Sequence, residues 1–201
     1  MSEYGNISAT VRTGKGKGVA RQLRAKGLAP AVLYGQGQPA ISLSFDPHLF
    51  EKAKDPARGY NTVFNLTIEE EGQEAKVVPC MVADVQSDAV RGDLVHLDFL
   101  RLDLEAQVHR RIPVRYEGRP PGVVKGGKLK TFRREVKVSA KPGDLPVELV
   151  VDMGNLDAGD TIRIADVSLP NTSFRERPDS PLALVEMPKA KKDEGEEEEK
   201  K

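Results

Sequence analysis

Two groups of residues have chemistry to offer. The first is Arg12, followed by Gly14-Lys15-Gly16-Lys17-Gly18 and then Arg21-Gln22-Leu23-Arg24. On a helix Lys17, Arg21 and Arg24 fall at i, i+4 and i+7 and share one face, while Val19, Ala20 and Leu23 are left to pack. Glycines let a backbone approach closely, and a helix N-terminus offers unpaired N–H groups with partial positive charge. Phosphate oxygens suit such a place. The spacing is not that of a P-loop, because no Gly-Lys-Ser/Thr follows a Gly-x-x-x-x stretch. It is not a dinucleotide fingerprint either, since Gly14, Gly16 and Gly18 merely alternate. A solvated helix face beside a flexible loop fits the same residues.

The second group is Leu94-Val95-His96-Leu97-Asp98-Phe99-Leu100. In a strand, Val95, Leu97 and Phe99 point one way and His96 and Asp98 the other. A His and an Asp at i, i+2 on an open strand face suit base edges, ribose hydroxyls or phosphates. A nucleophilic triad would need a serine or cysteine and an oxyanion hole. No Gly-x-Ser-x-Gly is present, and Cys80, the single cysteine, sits inside a strand pattern where it reads as core. Tyr34, between an apolar strand and Gly35, could stack on a base or ribose; a strand-end tyrosine at the edge of a core is the plainer reading. His48, His96 and His109 are too scattered to suggest a metal, and one cysteine allows neither an internal disulfide nor a cysteine zinc site. No cofactor is expected.

The elements that must position these residues are short. Ile7–Arg12 alternates as a strand, the glycine loop follows, and Val19–Lys26 reads as a helix with Gly27 at its C′ position. Ala31–Tyr34 and Ile41–Phe45 are strands. Asp46-Pro47 is an N-cap and N1 pair opening a helix to about Lys54. Thr62–Glu69, about Ala75–Gln86 and Leu94–Leu100 complete the first half. In the second half strand patterns at Ala106–Tyr116, Arg133–Ser139, Val147–Met153 and Thr161–Val167 alternate with Gly/Pro-rich turns. The expected organisation is β-rich with two domains: residues 1–100 as a compact β unit with short helices, and 101–188 as a mostly β domain. The low-complexity charged segment 189–201 is expected to be a disordered tail, because it has too little apolar area to offset ordering entropy.

The chain has 201 residues, with 31 Lys and Arg against 31 Asp and Glu. That neutrality hides an uneven distribution. Residues 1–35 carry Arg12, Lys15, Lys17, Arg21, Arg24 and Lys26 against Glu3, whereas residues 36–100 carry five basic and eleven acidic residues. A second basic stretch, 110–141, has eleven basic residues against Glu117 and Glu135. Concentrated basic blocks are the footprint of a polyanion binder. No apolar run reaches the ~18–20 residues of a membrane span, and the N-terminus lacks the apolar core of a secretory signal. A soluble cytosolic protein with no membrane partner is the expectation.

Taken together, Arg12, Gly16-Lys17-Gly18, Arg21-Gln22-Leu23-Arg24, Pro30-Ala-Val-Leu-Tyr34-Gly35 and the block Val85-Gln86…Val95-His96-Leu97-Asp98-Phe99 resemble the N-terminal signature of a bacterial ribosomal family. This is large-subunit protein number twenty-five, whose longer members form the CTC or general stress protein subfamily. Lys125-Gly126-Gly127, Asp144-Leu-Pro146 and Val151-Asp152…Leu156-x-x-Gly159 resemble the second domain of the CTC form. The resemblance runs over about residues 5–187. It implies a small N-terminal β-barrel with short helices, a mostly β C-terminal domain, and 5S ribosomal RNA as partner at the central protuberance of the large subunit, among neighbouring ribosomal proteins. It implies a cytoplasmic, ribosome-associated protein that is not an enzyme and takes no small-molecule substrate. Carried over residue by residue, RNA contacts fall on Arg12, Lys17, Arg21, Arg24, Tyr34, His96 and Asp98. One departure stands out: many members have an Arg-Arg pair where this chain has Arg21-Gln22, which removes one phosphate charge.

Two other readings remain at this stage. One is a non-ribosomal, stress-related RNA- or protein-interaction module in which the 110–141 stretch docks an acidic partner. The remoter one is an RNA-processing enzyme using His96 and Asp98.

Overall fold

The computed structural model describes residues 5–70 and 72–187, so the expectation for the 189–201 tail lies outside the described residues. The described chain forms two compact units. One runs through Arg110 and includes Ser139–Val147; the other comprises Arg111–Val138 and the chain from Glu148.

The first unit is a barrel. Its elements are β1 (Asn6–Val11), α1 (Lys17–Ala25), β2 (Ala29–Gly35), β3 (Gln38–Phe45), α2 (Pro47–Ala53), a 3-10 turn (Gly59–Asn61), β4 (Phe64–Glu69), β5 (Lys76–Ser87) and β6 (Leu94–Arg101). The strands close in the order β1-β3-β2-β6-β5-β4. The β1–β4 and β2–β6 pairs are parallel, and the other neighbours antiparallel. Inward residues of every strand meet in one core, from Ile7 and Ala9 to Leu97 and Phe99. Its centre is four fully enclosed phenylalanines, Phe45, Phe50, Phe64 and Phe99, with ring centroids 5.3 to 6.4 Å apart. Each such ring is worth about 1.5–3 kcal/mol of burial. Phe50 comes from α2, which plugs the barrel. That helix starts as its sequence dictates: the Asp46 carboxylate accepts from the His48 N–H at 2.8 Å, and Pro47 occupies N1.

Two β-bulges set which side chains face outward. On β5 Val82 lies opposite Phe99, but Asp84, not Ala83, lies opposite Asp98. Ala83 is therefore an extra residue, and it reverses the strand's parity. Cys80 and Val82 point into the core before it and Val85 after it, so Asp84 and Gln86 turn outward. On β6 Gln86 faces His96 while Ser87 faces Leu94, which makes Val95 the extra residue. This corrects the expectation that Val95 joins Leu97 and Phe99 inside: Leu94 packs against the core instead.

The second unit contains most of β7 (Val108–Glu117) and of β9 (Glu135–Ala140), with α3 (Pro121–Val124), β8 (Lys128–Thr131), β10 (Leu149–Asp152), β11 (Thr161–Arg163), a 3-10 turn (Ile164–Asp166), β12 (Ser173–Phe174) and β13 (Pro181–Glu186). One sheet has the order β10-β7-β9-β12 and another β11-β13-β8. The β-rich, two-part expectation is thus borne out. The sequence reading had no strand at β13, although it is the central strand of its sheet; its opening Pro181 disguised it. Part of the expected Gly/Pro turn at 118–127 is the helical turn α3, where Pro121 sits in a first turn.

Candidate functional site

The glycine loop delivers the chain into α1 through Gly16, whose φ of 102° only glycine adopts without strain. At the other end Gly27 donates to the Arg24 carbonyl and Leu28 to that of Leu23, the paired bonds of a Schellman motif. The helix is held lightly. None of its residues is buried, its first turn has no acidic residue and its N-cap makes no side-chain bond. Its basic side chains are presented rather than spent on folding.

The four cations differ in how they are held. Arg12 is half-buried, with Nε donating to the Leu43 carbonyl at 3.0 Å and Nη1 to that of Gly14 at 3.1 Å. It pins the start of the glycine loop to β3. Lys17 and Arg21 are exposed, and among the described residues neither has a hydrogen-bond or ion-pair partner. Arg24 reaches from the last turn of α1 to β6, where Nε and Nη2 both donate to the Val95 carbonyl, at 3.2 and 3.1 Å. That carbonyl belongs to the bulged residue, so the irregularity in β6 supplies the anchor that ties α1 to the strand bearing His96 and Asp98.

His96 and Asp98 share the outer face of β6, as alternation requires. The imidazole Nδ1 lies 2.8 Å from Asp98 Oδ1. With Nδ1–H donating to the carboxylate, Nε2 of the neutral ring is left as an acceptor. Parallel pairing with β2 places Val32 opposite Asp98 and Tyr34 opposite Leu100. Ala31 and Leu33 fill the core, so Val32 and Tyr34 take the outer side, where Tyr34 is half-buried. Arg110 anchors nearby: its Nη1 donates to the Val82 carbonyl at 2.7 Å, and burial depresses its pKa, opposed by the electrostatic pull of Tyr34. The barrel therefore brings the sequence-singled residues to one region of its outer wall, cations on α1 and hydrogen-bonding groups on β6. Sequence reasoning missed Asp84 and Gln86. Their signal was the break in apolar parity between Val82 and Val85.

Cys80 faces the opposite way, into the core, where burial pushes its thiol up to about 12. It is neither ionised near neutrality nor on the same side of the wall as His96. Among the described residues no three His, Cys, Asp or Glu gather as a metal site, and no helix is long and apolar enough to cross a membrane. The 110–141 basic stretch is largely matched by acids. Arg115 pairs with Glu117 and Glu148, Lys125 with Asp157, Lys130 with Glu186, Arg133 with Glu176 and Lys141 with Glu105. These pairs are mostly exposed, so each contributes little to stability, but together they remove most of the uncompensated charge.

A closed six-stranded barrel whose wall carries a lightly held cationic helix beside a polar strand face, followed by a second β unit, defines a class of two-part β proteins with one specialised outer surface. The chain belongs to the ribosomal L25p family. That family's model matches residues 7–99, and a model described as the C-terminal domain of ribosomal protein TL5 matches 107–189. The chain is 39% identical over 163 residues to a protein of Desulfotalea psychrophila named large ribosomal subunit protein bL25, covering 81% of this chain and 87% of that one. Proteins of the same name from Desulfovibrio desulfuricans and Halothermothrix orenii are 35% and 34% identical over 192 and 189 residues. They cover 96% and 94% of this chain, and 95% and 84% of their own lengths.

Proposed function

We propose that the chain is a structural, non-catalytic constituent of the large ribosomal subunit that binds 5S ribosomal RNA at the central protuberance, in the cytoplasm and among other ribosomal proteins. Residues 1–100 form the RNA-binding domain in this reading, and 101–188 a second β domain. The observation that carries it is the bond from Arg24 to the bulged Val95, which sets a cationic helix against a hydrogen-bonding strand face. Lys17 and Arg21 engage phosphates with side chains that fold leaves unspent. Arg12 and Arg24 contribute their remaining donors while fixing the loop and the helix. Tyr34 stacks on an exposed base or ribose. His96, oriented by Asp98, faces the wide, shallow minor groove of A-form RNA, where 2′-hydroxyls and base edges are accessible. The relatives' names and the family match support the ribosomal assignment. Co-sedimentation of the purified chain with large subunits, together with retention of 5S RNA on a filter, tests it; absence of both removes it.

A further inference from the structure

The Ala83 and Val95 bulges enclose three residues of β5 and three of β6 in strict register: Asp84 opposite Asp98, Val85 opposite Leu97, Gln86 opposite His96. Register partners project from the same face of a sheet. Without the bulge at Ala83, Asp84 and Gln86 would share the parity of Val82 and enter the core. The fold thus diverts two polar residues onto the outer wall beside His96 and Asp98. Both are exposed, and among the described residues neither has a hydrogen-bond or ion-pair partner.

Resting on the RNA-binding reading, we propose that Gln86 is a further RNA-contacting residue that reads the minor groove alongside His96, and that Asp84 holds backbone phosphates away from this strip. A primary amide has two donors and an acceptor, and neutral His96 adds an acceptor at Nε2. That combination matches the guanine amino group and the ribose 2′-hydroxyl, the polar groups a minor groove exposes. Asp84 and Asp98 stand on the same face and repel phosphate. With Lys17, Arg21 and Arg24 on the neighbouring helix, the wall is polarised: backbone belongs over α1 and the groove over β5 and β6. The carboxylates thereby fix the orientation of the duplex.

The test uses the full chain in filter binding at several salt concentrations, with 5S RNA and an unrelated A-form duplex as probes. Gln86→Ala and Gln86→Glu weaken 5S binding about 10-fold, in the range of a bidentate base contact, with the salt slope unchanged. Arg21→Ala lowers that slope by about 0.7–0.9, the signature of a lost phosphate contact. Asp84→Asn tightens binding to the unrelated duplex several-fold and so narrows discrimination. All four positions are exposed, and unchanged melting temperatures confirm folding of the variants. If Arg21→Ala weakens 5S binding while both Gln86 variants bind like the wild type, the role of Gln86 is overturned and the RNA reading stands. If Asp84→Asn leaves the unrelated duplex unaffected, the exclusion role is overturned. If the wild type fails to retain 5S RNA, the RNA reading itself falls, and this inference with it.

Discussion

Removing the Arg24 guanidinium should loosen α1 without touching the barrel. The helix buries none of its residues and has no side-chain N-cap, so the two bonds from Arg24 to the Val95 carbonyl are a large part of its attachment. Hydrogen bonds to charged groups contribute ~1.5–3 kcal/mol. Arg24 is exposed and both bonds share one acceptor, so about 1 kcal/mol is the appropriate figure here. Since 1.4 kcal/mol is tenfold in an equilibrium constant, opening of α1 becomes about fivefold more frequent. Native-state hydrogen exchange on Arg24→Ala reads this directly at the amides of Ala20 and Lys26, which bond to Gly16 and Gln22. Their protection falls about fivefold, while barrel amides such as that of Phe99 are unchanged. Arg24→Lys keeps the charge but loses the planar pair of donors, so it also lowers protection while retaining more RNA affinity. Equal α1 protection in wild type and Arg24→Ala would refute the claim that the bulged carbonyl anchors the helix.

The remaining predictions concern the scaffold. Phe50→Ala removes the α2 plug from the four-ring core and costs ~3–5 kcal/mol, read as a lower urea midpoint for the first unit. Gly122→Ala places a Cβ 2.5 Å from the Ala158 nitrogen and 2.6 Å from the Asp157 carbonyl carbon, both backbone, so the second unit unfolds at lower denaturant. Cys80 ionises in the unfolded chain near 9.0 but in the folded chain only near about 12. Stability from this group is therefore complete below pH 9 and declines as pH rises toward 12. The native thiol accordingly resists alkylation at pH 8 and reacts once the chain is unfolded, as mass spectrometry after labelling shows.

Much of the barrel was legible because its signals are local. Asp46-Pro47 announced α2, Gly27 the end of α1, and period-two alternation β1, β3 and β4. The pairing of His96 with Asp98 followed from i, i+2 spacing alone. What escaped was the consequence of pairing. Val95 reads as an inward residue until β5 imposes a two-against-one register on β6, and Asp84 and Gln86 read as core parity until Ala83 is counted as extra. Equally invisible was the long-range bond from Arg24 to Val95, which turns a basic stripe and a polar strand, 71 residues apart, into one surface. In the second unit the charge of 110–141 suggested a basic patch because its acidic partners, Asp157, Glu176 and Glu186, lie far along the chain.

The central claim is that α1 and the bulged face of β6 act as one RNA-binding surface. Filter binding of the full chain to 5S RNA in excess unrelated RNA, repeated from about 50 to 200 mM salt, tests it most directly, since phosphate contacts make affinity fall steeply over that range. The account predicts saturable, competitor-resistant binding, a steep salt dependence that Arg21→Ala makes shallower, and a salt-independent loss of affinity with His96→Ala. Binding to 5S RNA no tighter than to the competitor would contradict it.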